Sequence, residues 1–233
     1  MSNENAPPES GGGPASFAAK GNAEDRPGIL IVVSAPSGAG KSSLIKIVLS
    51  RVEGLGFSVS YTTRAPRGAE QEGVEYHFVT REKFIAMRDR GEFLEWAEVH
   101  GHLYGTHIDS VQALLRSGQD VVFDVDIEGA EQISSRMPGA VTVFVLPPSP
   151  AELEARLSGR NLNPRDDMEF RLANAAREVR MSERFDYIVV NDDLEQAAKA
   201  LEAIVVAERH RAVRAGGQVR AIIDTFGRGL PNA

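Results

Sequence analysis

The sequence predicts an α/β fold: a doubly wound, parallel, five-stranded sheet with a small mixed α+β subdomain inserted into it and a lid. Three observations predict it. Short, continuous apolar runs alternate with helical stretches along most of the chain. A glycine-rich loop bearing a lysine joins the first run to the first helix. Between residues 61 and 117 the alternation breaks. Strands that are apolar throughout, rather than at every second residue, belong to a sheet covered on both faces.

Residues 1–27 are rich in Gly, Pro, Ser and Glu and read as a disordered tail, too polar to offset the entropy of ordering. Strands are expected at 29–34, 56–60 ("GFSVS"), 121–125 ("VVFDV"), 141–146 ("VTVFVL") and 187–191 ("YIVVN"). Helices are expected at 41–52, 127–135, 150–158, 167–183 and 193–214, the last an amphipathic closing helix. Strand and helix in turn imply a doubly wound core over 28–60 and 118–214. Within 61–117, "VEYHFV" and "GEFLEWAEV" read as antiparallel strands flanking the helix "REKFIAMRDRG", with Phe93 and Trp96 in a local core. "GRNLNPRDDM" has almost no apolar residues and reads as a lid over 159–170, and 215–233 extends the chain without an assigned role.

Composition narrows the function. The 233 residues carry a net charge of −7, which argues against nucleic acid or an anionic membrane as partner. Arginine outnumbers lysine 21 to five, and a planar guanidinium suits phosphate. There is no cysteine, hence no disulfide or thiolate metal site, and the start has no signal peptide. A cytoplasmic enzyme is expected. His100, His102 and His107 follow the alternation of an exposed strand, and no metal site is expected there.

The loop "SAPSGAGKSS" (Ala35, Pro36, Ser37, Gly38, Ala39, Gly40, Lys41, Ser42 and Ser43 after Ser34) has the parts a phosphate cradle needs. Gly38 and Gly40 allow backbone N–H groups to turn inward, Lys41 brings charge, Ser42 offers a hydroxyl to Mg²⁺, and the following helix points its positive end at the anion. Ala35 stands where glycine is usual; with Pro36 after it, extended geometry at negative φ serves. This makes the core P-loop NTPase-like. "VVFDVD" puts Asp124 and Asp126 at a strand's carboxyl end, on one face by alternation, where metal and ligands gather.

The acceptor is written in "SVSYTTRAPRGAEQEGVEYHF". Arg64 and Arg67 sit in a proline-stiffened turn, with Ser60 before and Tyr76 after, as a monophosphate clamp would require. Together with "GEFLEWAEVHGHLYGT", "RLSGRNLNPRDDMEFRL" and "YIVVNDDL", these segments resemble the guanylate kinases of bacteria over roughly residues 28–210. The TTRxPRxxE…G…YxF block with FLEWA is highly specific to that family.

The resemblance implies transfer of phosphate from ATP to GMP, with dGMP as a further acceptor and Mg²⁺ as cofactor. Arg64, Arg67, Tyr76 and Tyr104 would hold the GMP phosphate; Ser60, Glu95, Thr106 and Asp126 would read guanine. Lys41, Arg160 and Arg171, with Arg156, would hold the ATP phosphates and the transferring group, and Asn191 would lie near adenine. Ser42 and Asp124 would serve Mg²⁺, the aspartate through water. Guanine presents N1–H and the N2 amine side by side, which one carboxylate accepts, whereas adenine's N1 lone pair would be repelled. The partners implied are the two nucleotides, and a homodimer is admitted. Asn161 departs from the family's glycine after the lid arginine, and Thr106 keeps a hydroxyl where serine is also found. A sugar-phosphate kinase would need no base reader, and the scaffold modules that share this fold lack the phosphate loop this chain keeps.

Overall fold

The computed structural model describes residues 26–158 and 165–229. Its larger sheet runs in the order β2-β7-β1-β8-β9, with every recorded pairing parallel. The strands are β1 (Leu30–Ser34), β2 (Leu55–Gly56), β7 (Asp120–Asp124), β8 (Val141–Leu146) and β9 (Tyr187–Val190). Strand β1 is central, and each of its faces has its own core. Ile31 and Val33 pack with α1 (Lys41–Arg51) and α7 (Leu194–Arg209), while Leu30 and Val32 pack with α3 (Ile108–Arg116) and α4 (Ile127–Arg136). Two covered faces explain why this strand has no polar side. The connection leaving β1 leads to β2 and the one leaving β7 leads to β8, in opposite directions across the sheet, so the crevice where ligands gather in such sheets opens at the carboxyl ends of β1 and β7.

The second sheet, β4-β3-β6-β5, lies between β2 and β7 in sequence. It comprises β3 (Ser60–Thr62), β4 (Tyr76–Phe78), β5 (Phe93–Val99) and β6 (His102–His107), and α2 (Arg81–Asp89) connects β4 to β5. Phe84 stacks on Phe93 at 4.3 Å over a small core with Met87 and Leu103, and Trp96 packs at its edge. The β5–β6 hairpin turns on His100 (φ 51°) and Gly101 (φ 78°), the two positive φ values that a tight hairpin matching strand twist requires.

Several expectations are corrected. The strand expected at 56–60 pairs only over Leu55–Gly56, and Ser60 already belongs to the second sheet. Of the two strands expected to be antiparallel, β5 does pair antiparallel, with β6, whereas β4 pairs parallel with β3. Strand β7 ends at Asp124, so Asp126 does not share a strand face with it but caps α4. The helix expected over 193–214 stops at Arg209, and the chain turns into α8 (Gly216–Gly229). The tail does not reach residue 27: Arg26 is tied to the core by Asp120. Residues 1–25, and 159–164 of the lid, lie outside the described residues; the rest of the lid belongs to α6 (Arg165–Arg180), which follows α5 (Pro150–Ser158) in the chain.

Asp120 is fully buried and accepts from Arg26, from Arg209 and from the backbone N–H of Ile29. Glu208, 1% exposed, takes a hydrogen bond from Tyr187 at 2.6 Å and an ion pair from Arg214 at 3.0 Å. Burial pushes its carboxyl upward, but those partners outweigh it and leave it below the usual range. No helix among the described residues is long and apolar enough to cross a membrane.

Candidate active site

The phosphate loop leaves β1 through Ala35, whose φ is not positive, in keeping with its place before proline. Ala39 N–H closes a turn on the Pro36 carbonyl at 3.1 Å. Gly40 then adopts φ 91° as the residue before α1, where a Cβ would lie 2.4 Å from the Asn191 amide nitrogen. That amide is 3% exposed and donates to the Ala39 carbonyl at 2.7 Å. Arg156, on α5, donates to the Asn191 carbonyl at 3.0 Å and to Glu152 at 2.8 Å. Both residues, expected beside ATP, are thus engaged in bracing the loop from behind.

On the loop's inner side, Lys41 Nζ lies 2.7 Å from Asp124 Oδ1 and donates to the Val125 carbonyl. Ser42 Oγ donates to Asp124 Oδ2 at 2.7 Å. The expected trio of lysine, hydroxyl and strand-end carboxylate meets at the carboxyl end of β7, beside β1. Arg171 is half-buried on α6, and Arg160 lies outside the described residues.

Across from this trio, a cleft of about 330 Å³ opens between the carboxyl half of β7 and the second sheet, lined by Ser60, Tyr76, Glu95, Thr106 and Asp124 among others. Thr106 Oγ1 donates to Glu95 Oε1 at 2.8 Å. Its one proton is therefore committed, and Ser60 must donate to it across 3.0 Å. The result is a row of acceptors ending in a carboxylate. Burial, first, pushes the Glu95 carboxyl up; the Thr106 hydrogen bond opposes this, and the Asp126 charge adds to it. Asp126 Oδ1 accepts from Gly129 N–H at 2.8 Å, capping α4.

The arginine turn follows β3. Arg64, 8% exposed, is gripped by Glu70 through two hydrogen bonds, and its guanidinium lies 5.4 Å from the centre of the Tyr76 ring. Tyr76 and Tyr104 meet edge to face at 5.8 Å. The Arg67 side chain is exposed. The geometry gathers Ser60, Glu95 and Thr106 in one place and Arg64, Tyr76 and Tyr104 beside it.

Two acids went unassigned from the sequence. Glu70 is the E of TTRxPRxxE, so its signal was present without its role. Glu178, half-buried on α6, sits near Asp126 and Lys41; burial and then the Asp126 charge push its carboxyl up, and Lys41 draws it back. Nothing in the local sequence marks it.

A phosphate loop feeding one end of a cleft, with a separate row of acceptors and an arginine at the other, defines a P-loop phosphotransferase of the nucleoside monophosphate kinase class. The guanylate kinase family profile matches residues 28–208. Proteins named guanylate kinase from Koribacter versatilis (50% identical over 202 residues, 84% of this chain and 87% of the relative) and from Alkalilimnicola ehrlichii (48% over 188 residues, 81% and 93%) align with it. A crystal structure of guanylate kinase from Anaplasma phagocytophilum superimposes with a TM-score of 0.63 at 32% identity, covering 82% of this chain and 90% of that one. The chain belongs to the guanylate kinase family.

Proposed function

We propose that this chain performs its family's reaction, transfer of the γ-phosphoryl group of ATP to GMP, with roles divided between the two walls of the cleft. The observation that carries this is the Ser60–Thr106–Glu95 row facing the Lys41–Ser42–Asp124 trio. Its acceptors suit the adjacent N–H donors of guanine, with Asp126 adding a further carboxylate. Arg64 and Arg67, with Tyr76 and Tyr104, receive the acceptor phosphate. No general base is required, because a phosphate monoester with its second pKa near 6 is already largely dianionic at neutral pH. The chain's work is alignment and charge neutralisation, by Lys41 and by Arg160 and Arg171 of the lid segment.

The donor set fits Mg²⁺. Ser42 Oγ and Asp124 supply hard oxygens at one point, and the described residues contain no cluster of three or more acidic, histidine or cysteine ligands. That suits an ion held largely by substrate phosphates and water. Bound there, Mg²⁺ neutralises charge on the phosphates. Ser42 and Asp124 would hold it, and Lys41, now resting on Asp124, would turn to the phosphates.

The cytoplasm, where ATP and guanine nucleotides meet, is the compartment this reading assigns. An acceptor panel tests it: ADP release with GMP, dGMP, AMP, UMP and IMP. GMP and dGMP should be used comparably, since the row addresses the base and not the ribose. IMP, lacking the N2 amine, should be poorer, and AMP and UMP should be slower by about 10³-fold or more. Comparable use of AMP would rule out Glu95 as the base reader.

We include a homodimer, supported by α8. Val219, Ile222, Ile223 and Phe226 form one apolar stripe, 45 to 67% exposed. A two-fold axis would set this same stripe of each copy against the other, apolar face on apolar face. One such seam falls well below the roughly 1,200 Å² of a stable interface, so the association should be weak. Sedimentation equilibrium should show a concentration-dependent dimer that vanishes when residues 216–233 are removed. A full chain monomeric throughout, or a dimer that survives the deletion, would refute it.

A further inference from the structure

We propose that Glu70 is a positioning residue for the acceptor: it grips one edge of the Arg64 guanidinium and thereby turns the other edge toward the acceptor's phosphate. The proposal rests on the acceptor assignment above and adds a residue to it.

A guanidinium carries five N–H groups, and two of its edges can take an oxyanion bidentately: the Nη1/Nη2 end and the Nε/Nη2 side. Glu70 holds the end, with Oε1 2.9 Å from Nη2 and Oε2 3.0 Å from Nη1. The other Nη1 proton goes to the Ala65 carbonyl at 2.9 Å. These contacts leave the Nε/Nη2 side as the edge for a second oxyanion. The Tyr104 hydroxyl lies near enough to act on the guanidinium electrostatically, and the Tyr76 ring lies against it. Those are the two tyrosines assigned to the acceptor phosphate. With Arg64 nearly buried, such contacts set its direction, and a side chain oriented before binding loses less entropy when the ligand arrives.

Glu70 does more than hold Arg64. Its Oε2 accepts from the Arg67 backbone N–H at 2.8 Å, and its own N–H donates to the Arg67 carbonyl at 3.1 Å. One carboxylate therefore sets the guanidinium of the first arginine and the turn that presents the second.

The same contact could instead make Glu70 a stand-in for phosphate that the ligand must displace, and the two roles differ in sign. Glu70→Ala and Glu70→Gln separate them, with GMP and guanosine titrated by calorimetry and steady-state kinetics run for GMP and ATP. For Glu70→Ala, Kd and KM for GMP should rise about tenfold or more; Glu70→Gln, which keeps one acceptor, should rise less. Guanosine affinity and KM for ATP should stay within about twofold of wild type, a split that general loss of packing would not give. A fall in KM for GMP would show displacement and overturn the proposal. So would equal weakening of GMP and guanosine, which would mark a structural residue. The acceptor assignment is judged on the wild type, which must bind GMP more tightly than guanosine. If that gap is missing, the assignment fails; if it is present and both Glu70 variants keep it, only the role of Glu70 fails.

Discussion

Lys41→Ala is expected to lower kcat by about 10²-fold or more while GMP still binds, because the lysine lies on the donor side of the cleft and its charge counts most in the transition state. The ammonium sits 2.7 Å from Asp124 Oδ1. That carboxylate is partly exposed, so its loss of a partner is cushioned by water and the variant should fold. Single-turnover kinetics with GMP affinity measured in parallel checks this. A variant keeping more than about a tenth of wild-type kcat would contradict the role given to Lys41.

Glu95→Gln is expected to lower kcat/KM for GMP by about 10- to 200-fold, since charged hydrogen bonds are worth roughly 1.5–3 kcal/mol. The new amide must put a donor where guanine also presents donors, and Thr106 already claims one carboxylate oxygen. Discrimination against AMP should narrow, while ATP affinity should hold. Two further effects follow from the raised Glu95 carboxyl. As pH falls through its folded pKa the acceptor is protonated, so kcat/KM for GMP should decline at a higher pH than an ordinary glutamate would dictate, and the glutamine variant should lack that limb. For stability, a carboxyl whose pKa is raised on folding favours the fold below its unfolded pKa and loses that contribution as pH rises through the folded value. Ionised Glu95 therefore works against folding at neutral pH, and Glu95→Gln should melt higher while it turns over more slowly. Intact GMP kinetics, or equal weakening of ATP and GMP, would reopen the acceptor assignment.

The central strands were legible because burial on both faces writes an unbroken apolar run, as in "LIVVS" and "VTVFVL". Strand β2 was misjudged because only two residues pair, and pairing leaves no mark in composition. Strand β6, "HLYGTH", was marked only through its histidines, as an exposed strand; half of it is buried, and polar residues lining the cleft blur the alternation that would show this. Within the site, Lys41, Ser42 and Asp124 could be named from motif and chemistry, and Glu95 only through the family resemblance. Asp126 was placed on the wrong element because one residue decides whether a strand continues or a helix is capped. The bracing by Asn191 and Arg156 depends on contacts between segments far apart in sequence, which no local pattern records.

Asp120 gathers Arg26 and Arg209 at the start of β7, whereas Asp124, at the end of the same strand, faces the phosphate loop. The chain thus enters and leaves its core side by side, on the edge of the sheet remote from the substrates, with a strand's length of about 13 Å between. Whatever is joined beyond those points, whether a purification handle, a fused protein or a surface for immobilisation, starts from behind the sheet. Held at that edge, the core would present its cleft outward.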